Sequence, residues 1–253
     1  MSKMLAITRY EYKMQIKRIA PWVFLIFVAV ASMMDCLPIA SNHARLEFLW
    51  NIKYYVWRVF AFDGLILLFG TLFLTAGCLV DDRKSRRRDL FMAAPVGKAS
   101  YIAGKLLGNF LFALTLMYSL LAISLFGFAI TSPTEPALAD YIGAIFSISV
   151  YTIVPATFFV VASSVMLPEL VDIRLVYLLY SILFLVNAFS THTSEAMPFY
   201  ILTQGDLARA IWQHPRFPEI HVESTCLNLM FMLGAGVLAI ILVATKRHFW
   251  RTE

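Results

Sequence analysis

The chain has 253 residues, of which 60% are hydrophobic and only 15% are charged. An ordinary soluble domain is roughly 45–50% apolar and about 25% charged, so this composition excludes a soluble globular protein, a disordered chain and a disulfide scaffold. The net charge of +5 does not point to nucleic acid, because basic residues in so apolar a chain are typical of the cytoplasmic side of a membrane protein. We interpret residues 1–253 as one polytopic membrane domain.

Residues 1–19 predict an amphipathic helix lying on the membrane surface. Lys3, Lys13 and Lys17 lie on one face of such a helix. The opposite face, at spacings of three and four, is formed by Met4, Leu5, Thr8, Tyr12, Ile16 and Ile19. This pattern is typical of an interfacial helix on an anionic leaflet. A disordered basic leader is the alternative.

Six apolar stretches predict an all-α fold with six membrane-spanning helices, since a span needs about 20 mainly apolar residues. The predicted spans are 20–39, 59–80, 106–130, 141–167, 175–190 and 226–245, and the fifth is the shortest. Pro155 predicts a kink in the fourth span. Gly104 and Gly108, at the start of the third, have the spacing that allows another helix to pack closely.

The distribution of Lys and Arg sets the expected orientation. Most of these residues flank the spans on the side that holds both termini and the segment 81–105. Because cytoplasmic loops carry the excess of Lys and Arg, both termini are predicted to be cytoplasmic.

The segment 191–225 is the longest predicted outer loop, and it contains histidines and glutamates that could bind a metal. Their spacing matches no standard ligand pattern, so a solvated polar loop is favoured; they are His192, His214, His221, Glu195, Glu219 and Glu223. A disulfide between Cys36 and Cys226 is a minor alternative to free, apolar cysteines.

Few polar side chains lie inside the predicted spans. Asp35 lies near the outer end of the first span, Asp63 about one turn into the second, and Asn187 in the fifth. Ionisable residues inside a membrane are candidate functional groups, so these three form a candidate substrate pathway. Both acids lie close enough to the surface to reach water. The lack of an acid at depth elsewhere disfavours an ion-coupled transporter.

The segment between the second and third spans carries the main functional signal. It reads DDRKSRRRDLFMAAPVGKASYIAGK over residues 81–105. A loop that only fixes orientation needs charge, but it does not need the apolar patch formed by Leu90, Phe91 and Met92. An apolar patch among charges is typical of a helix that binds a soluble partner.

Together with the predicted topology, this segment resembles the permease subunit of the type-2 ABC transporter family, the ABC export permeases. That family has an N-terminal elbow helix, six spans and a cytoplasmic coupling helix between spans two and three. Its coupling segment has an acid, a basic-polar stretch, a leucine-rich run ending in proline, and then a tyrosine and Gly-Lys. The matching positions are Asp81 or Asp82, residues 86–92, Pro95, Tyr101, Gly104 and Lys105. The three consecutive arginines depart from the family pattern, as does Asp in place of Glu.

The resemblance implies a bacterial cytoplasmic membrane protein that works with two ATP-binding subunits and a second copy or sister permease. ATP and Mg²⁺ would bind the partner subunits, because this chain lacks a GxxxxGK[ST] loop and is not itself an enzyme. The implied coupling residues lie in residues 81–100 and in the loop 168–174. They are Asp82, Ser85, Arg86, Arg87, Arg88, Asp89, Leu90, Phe91, Met92, Pro95, Glu169 and Asp172. A hydrophobic or amphipathic cargo (peptide, lipid or drug) is expected. A non-transporting scaffold or regulatory subunit is the alternative.

Overall fold

The computed structural model describes residues 3–45, 49–94, 96–189, 202 and 222–246, and this part of the chain is helical and contains no strand. A π turn (Ser149–Ile153) joins α8 to α9, and a 3₁₀ turn (Leu167–Glu169) follows α9. The helices are α1 (Lys3–Ile16), α2 (Ile19–Cys36), α3 (Ala40–Arg45), α4 (Ile52–Thr75), α5 (Cys78–Lys84), α6 (Arg87–Ala93), α7 (Lys98–Thr131), α8 (Leu138–Ile148), α9 (Val154–Met166), α10 (Ile173–Phe189) and α11 (Val222–Thr245).

Five helical stretches in the described residues are long and apolar enough to cross a membrane, which is the architecture of a multi-pass membrane protein. They are Ile19–Cys36, Ile52–Lys84, Lys98–Thr131, Leu138–Glu169 and Cys226–Thr245. The fifth predicted span corresponds to α10, whose apolar stretch Ile173–Ala188 is shorter than the others. A sixth crossing therefore stays a prediction.

Helix α4 lies at the centre of the bundle. In its most apolar stretch 67% of the residues are buried, against 28% in α11. Large side chains of α4 and α7, including Tyr55, Phe60, Phe112 and Phe128, are fully buried between the helices. The outward faces of α2, α10 and α11 instead expose apolar side chains, as expected where lipid rather than protein covers a helix.

The π turn explains how the fourth span accommodates Pro155. Proline has no N–H to donate, so it breaks the ladder of helical hydrogen bonds. The wider π turn directly precedes Pro155 and lets the helix continue as α9. The fourth span thus contains a π turn, a common cause of helix distortion, next to Pro155, and the predicted kink stays a prediction.

Helix α1 packs against the start of α7, and the two glycines make this possible. A Cβ atom at Gly104 would lie 2.8 Å from Ile7 Cβ, and one at Gly108 would lie 2.5 Å from Glu11 Cβ and 2.9 Å from the Thr8 carbonyl oxygen. The predicted close packing at these glycines is confirmed, and its partner is α1.

The buried face of α1 overlaps only in part with the predicted apolar face, of which Thr8 is buried and Tyr12 and Ile16 pack partly buried against the core. The residues buried against the bundle are Ile7, Thr8, Glu11 and Gln15, whereas Leu5 is 48% exposed. The reason is that α7 offers polar partners, Lys105 and Asn109, to the polar face of α1. Helix α1 is consequently anchored to the bundle by polar contacts as well as by its apolar side chains.

Candidate functional site

A buried ion cluster joins α1, α5 and the start of α7. We call the end of the bundle where these helices meet the basic end. The Lys105 ammonium contacts Glu11 Oε1 and lies 2.6 Å from Asp82 Oδ2. The Tyr101 hydroxyl donates to the same Asp82 oxygen at 2.7 Å. The Lys105, Glu11 and Asp82 side chains are each 4% exposed or less. These four residues are called the Lys105 cluster.

The Lys105 cluster holds two carboxylates against one ammonium, so it carries an excess negative charge when both acids are ionised. Burial raises the pKa of Glu11 above its usual range, and the Lys105 ammonium opposes this effect without cancelling it. Beside the cluster, the Gln15 amide donates to Asn109 Oδ1 at 2.9 Å. These contacts fix the position of α1 relative to α7.

A second ion cluster connects α5 and α6 to the end of α9. Arg88 contacts Glu169 Oε1 and donates to the Leu79 carbonyl at 3.0 Å. Arg83 lies 3.4 Å from the other Glu169 oxygen. Arg88 and Glu169 are both nearly inaccessible, at 6% and 1% of their side-chain surface. Arg83, Arg88 and Glu169 are called the Glu169 cluster.

The end of α11 is attached to the same region by two lysines. Lys98 donates to the carbonyls of Ala244 at 2.6 Å and of Lys246 at 2.9 Å. Lys246 in turn donates to the Glu169 carbonyl. Lysine side chains that satisfy the last carbonyls of a helix are a common form of helix C-terminus. The basic end thus links helices from both halves of the chain.

Helix α6 has the length of the short helix predicted at residues 86–92, seven residues, and begins one residue later. It begins after Arg86, which adopts a left-handed conformation with φ of 56° and so turns the chain sharply between α5 and α6. One side of α6 is held by Arg88 and by Phe91, whose ring centroid lies 5.2 Å from that of Tyr101. The opposite side presents Leu90, which is 72% exposed.

The residues predicted for ATPase coupling differ in how far their side chains are exposed. Asp82, Arg88 and Glu169 are buried and bonded within the chain, so their side chains hold the helices together rather than face outward. Phe91 and Met92 are half-buried, and Pro95 lies outside the described residues. Asp172 is exposed and accepts a hydrogen bond from the Arg174 backbone at the start of α10. The exposed group lies on α6 and on the turn before it, and consists of Ser85, Arg86, Arg87, Asp89 and Leu90.

The candidate substrate-pathway residues differ in exposure and in their partners. Asp35 is partly exposed and lies 3.3 Å from Arg58. Asp63 is only 4% exposed and hydrogen bonds to Ser32, so the expectation that it reaches water is wrong; α2 covers it. Asn187 is also buried, where it donates to the Leu183 carbonyl and accepts from the Leu202 backbone.

Two further hypotheses from the sequence were a disulfide and a metal site. Cys36, Cys78 and Cys226 are all free, so the Cys36–Cys226 disulfide is wrong. No group of His, Cys, Asp and Glu in the described residues is arranged to hold a metal ion. The outer-loop histidines lie outside the described residues.

Sequence reasoning missed Glu11 as a member of the buried cluster. One signal was available, because Glu11 is the only acidic residue before Asp35. A lone acid on a basic helix is a candidate for pairing with a buried cation, since an unpaired buried charge is costly.

Comparisons with protein-family models, with curated proteins and with solved structures found no match to this chain.

Proposed function

We propose that this chain is the membrane subunit of an ATP-driven exporter of the ABC export permease type. Its basic end faces the cytoplasm and binds separate ATP-binding subunits, and its cargo is a hydrophobic or amphipathic molecule such as a peptide, lipid or drug. A second copy or a sister permease completes the pathway. The observation that carries the proposal is α6, a short helix between the second and third spans with one side anchored and the other exposed.

The contacts of α6 suit a helix that transmits force. Arg88 connects α6 to Glu169 at the end of α9, and Arg83 connects α5 to the same carboxylate. A displacement of α6 would therefore reach α9 and the start of α10 through a buried ion pair. Breaking such a pair costs about 3–5 kcal/mol, so the three elements are expected to move together when a partner pushes on α6.

The exposed side of α6 combines one large apolar residue with charges of both signs. Burying Leu90 in a pocket of a partner could contribute roughly 1.5–3 kcal/mol. Exposed ion pairs from Arg86, Arg87 or Asp89 typically contribute about 0–1 kcal/mol each. Leu90 should therefore dominate affinity, while the charges should set orientation and salt sensitivity.

The proposal is tested on the chain purified in mild detergent from its native membrane. We expect a nucleotide-binding subunit to co-purify and the complex to hydrolyse ATP. Leu90→Ala should reduce recovery of that subunit about tenfold, which corresponds to about 1.4 kcal/mol. Phe91→Ala is a less informative variant, because it would also remove the ring contact with Tyr101.

Leu138→Ala is the matched control. Leu138 is 75% exposed, close to the 72% of Leu90, and it begins α8, a helix outside the two ion clusters. This variant should leave the complex and its ATP turnover unchanged. Recovery of a stable complex that lacks any nucleotide-binding subunit would contradict the proposal and favour the non-transporting scaffold or regulatory subunit.

A further inference from the structure

A cleft of about 420 Å³ opens at the basic end, between α1, α5 and α10. One part of its lining is apolar and includes Met14, Phe73 and Tyr177. The rings of Phe73 and Tyr177 lie 4.9 Å apart, and Phe73 is 45% exposed. The cleft therefore offers an accessible apolar surface beside its charged residues.

The rim of the cleft carries charges of both signs that form no close ion pair. Arg18, Arg87 and Asp81 all line it. In the part of the chain that the structure describes, none of the three forms an ion pair within 4 Å. The cleft is thus lined by two cations and one carboxylate that form no ion pair with one another. In contrast, Lys105 and Arg88 at the same end of the bundle both form ion pairs.

The floor of the cleft adds a buried acceptor with no partner. Gln15 is 1% exposed, and it uses its amide N–H to bond Asn109. Its Oε1 atom receives no hydrogen bond, although a buried polar atom is normally satisfied. Gln15 lines the cleft, but this oxygen is closed off from solvent, so ligand recognition in the cleft falls to the charged side chains of the rim.

We propose that this cleft binds a phospholipid whose headgroup joins a phosphate to a primary ammonium. The phosphate matches the guanidinium groups of Arg18 and Arg87, which bind phosphate oxygens well. The ammonium matches the Asp81 carboxylate, which lines the same cleft. The acyl chains extend along the apolar wall at Phe73 and Tyr177. This inference needs only a membrane and the cleft, and it does not depend on an ATP-driven partner.

The test is a titration of the purified full-length chain by native mass spectrometry with two lipids that have identical acyl chains. Phosphatidylethanolamine and phosphatidylcholine share the phosphate, but only the former has N–H donors for Asp81. We expect phosphatidylethanolamine to bind about tenfold more tightly, since a charge-assisted hydrogen bond has about this effect. Equal affinity for the two lipids would overturn the proposal without any variant.

Two double variants test the site itself. Arg18→Gln with Arg87→Gln should weaken phosphatidylethanolamine binding about tenfold. Arg9→Gln with Lys84→Gln removes the same net charge from α1 and α5 at exposed positions outside the cleft, and binding should be retained. An equal loss in both variants would show general attraction to a basic surface and would overturn the specific site.

Soluble phosphoethanolamine separates a lipid from a free headgroup. We expect it to compete only at concentrations far above those of the lipid, because it lacks the acyl chains. Competition at equal concentration would show that the cleft recognises a soluble molecule, and the lipid assignment would then be wrong.

Discussion

Replacement of Lys105 by methionine gives the sharpest test of the buried ion cluster at the basic end. Methionine keeps the length and much of the volume of the side chain but removes its charge. The Glu11 and Asp82 carboxylates, both almost inaccessible to solvent, would then face each other without a cation. We expect the protein to be strongly destabilised and α1 to lose its anchorage to α7.

The magnitude follows from the burial of the cluster. Removing one partner of a buried ion pair costs about 3–5 kcal/mol, because the remaining charge is left desolvated. An exposed pair is worth about 0–1 kcal/mol. The Arg58–Asp35 pair, with side chains 28% and 36% exposed, belongs near the second class. Lys105→Met should therefore reduce the free energy of unfolding several times more than Arg58→Met.

The measurement is thermal unfolding of the purified variants in one detergent, followed by tryptophan fluorescence. Arg58→Met is the matched control, because it applies the same kind of change to an ion pair at the opposite end. A rescue variant combines Lys105→Met with Glu11→Gln and Asp82→Asn. It leaves no buried charge in the cluster and should recover most of the lost stability, since neutral replacements of buried ion pairs are often well tolerated.

Two results would refute this reasoning. Equal small losses in Lys105→Met and Arg58→Met would show that the Lys105 side chain is not buried against the two acids. Failure of the triple variant to recover stability, with the single Lys105→Met strongly destabilised, would show that the loss comes from packing and not from unpaired charge.

The remaining predictions concern the packing of α1, the turn before α6 and the effect of pH. Gly108→Ala should destabilise the protein by about 1–3 kcal/mol, because its Cβ would lie 2.9 Å from a backbone oxygen of α1. Gly143→Ala, where a Cβ meets nothing within 4 Å, should be neutral or stabilising by up to about 1 kcal/mol in the same unfolding assay. Arg86 has a φ of 56°, a left-handed conformation that glycine adopts more easily, so Arg86→Gly should stabilise the protein by about 1 kcal/mol. The control Arg87→Gly should not stabilise it. Equal effects of the two variants would contradict the left-handed turn. Burial raises the pKa of Glu11 in the folded protein above the ordinary value of 4.5. Protonated Glu11 therefore contributes fully to the free energy of unfolding below pH 4.5, and this contribution is lost as the pH rises through the raised pKa. Glu11→Gln should flatten this part of the curve of stability against pH, and an unchanged curve would contradict the shift.

The sequence alone determined the features that depend on local periodicity and composition. Long apolar runs predicted the membrane-spanning helices, and the run at residues 86–92 predicted a short helix that the structure places at Arg87–Ala93. The spacing of Gly104 and Gly108 predicted a close helix contact. These features follow from neighbours a few positions apart, where the geometry of a helix fixes which residues share a face.

Only the tertiary structure decided which polar residues are buried and which partners they have. Glu11 and Lys105 are 94 positions apart, and Arg88 and Glu169 are 81 apart. Asp63 sits near the outer end of its span in sequence, yet α2 covers it. The cleft likewise combines residues of α1, α5 and α10. Hydrophobic periodicity shows that a polar residue lies on a helix, but the energy of a buried charge depends on which helix packs against it, and that is set by the assembly of the whole bundle.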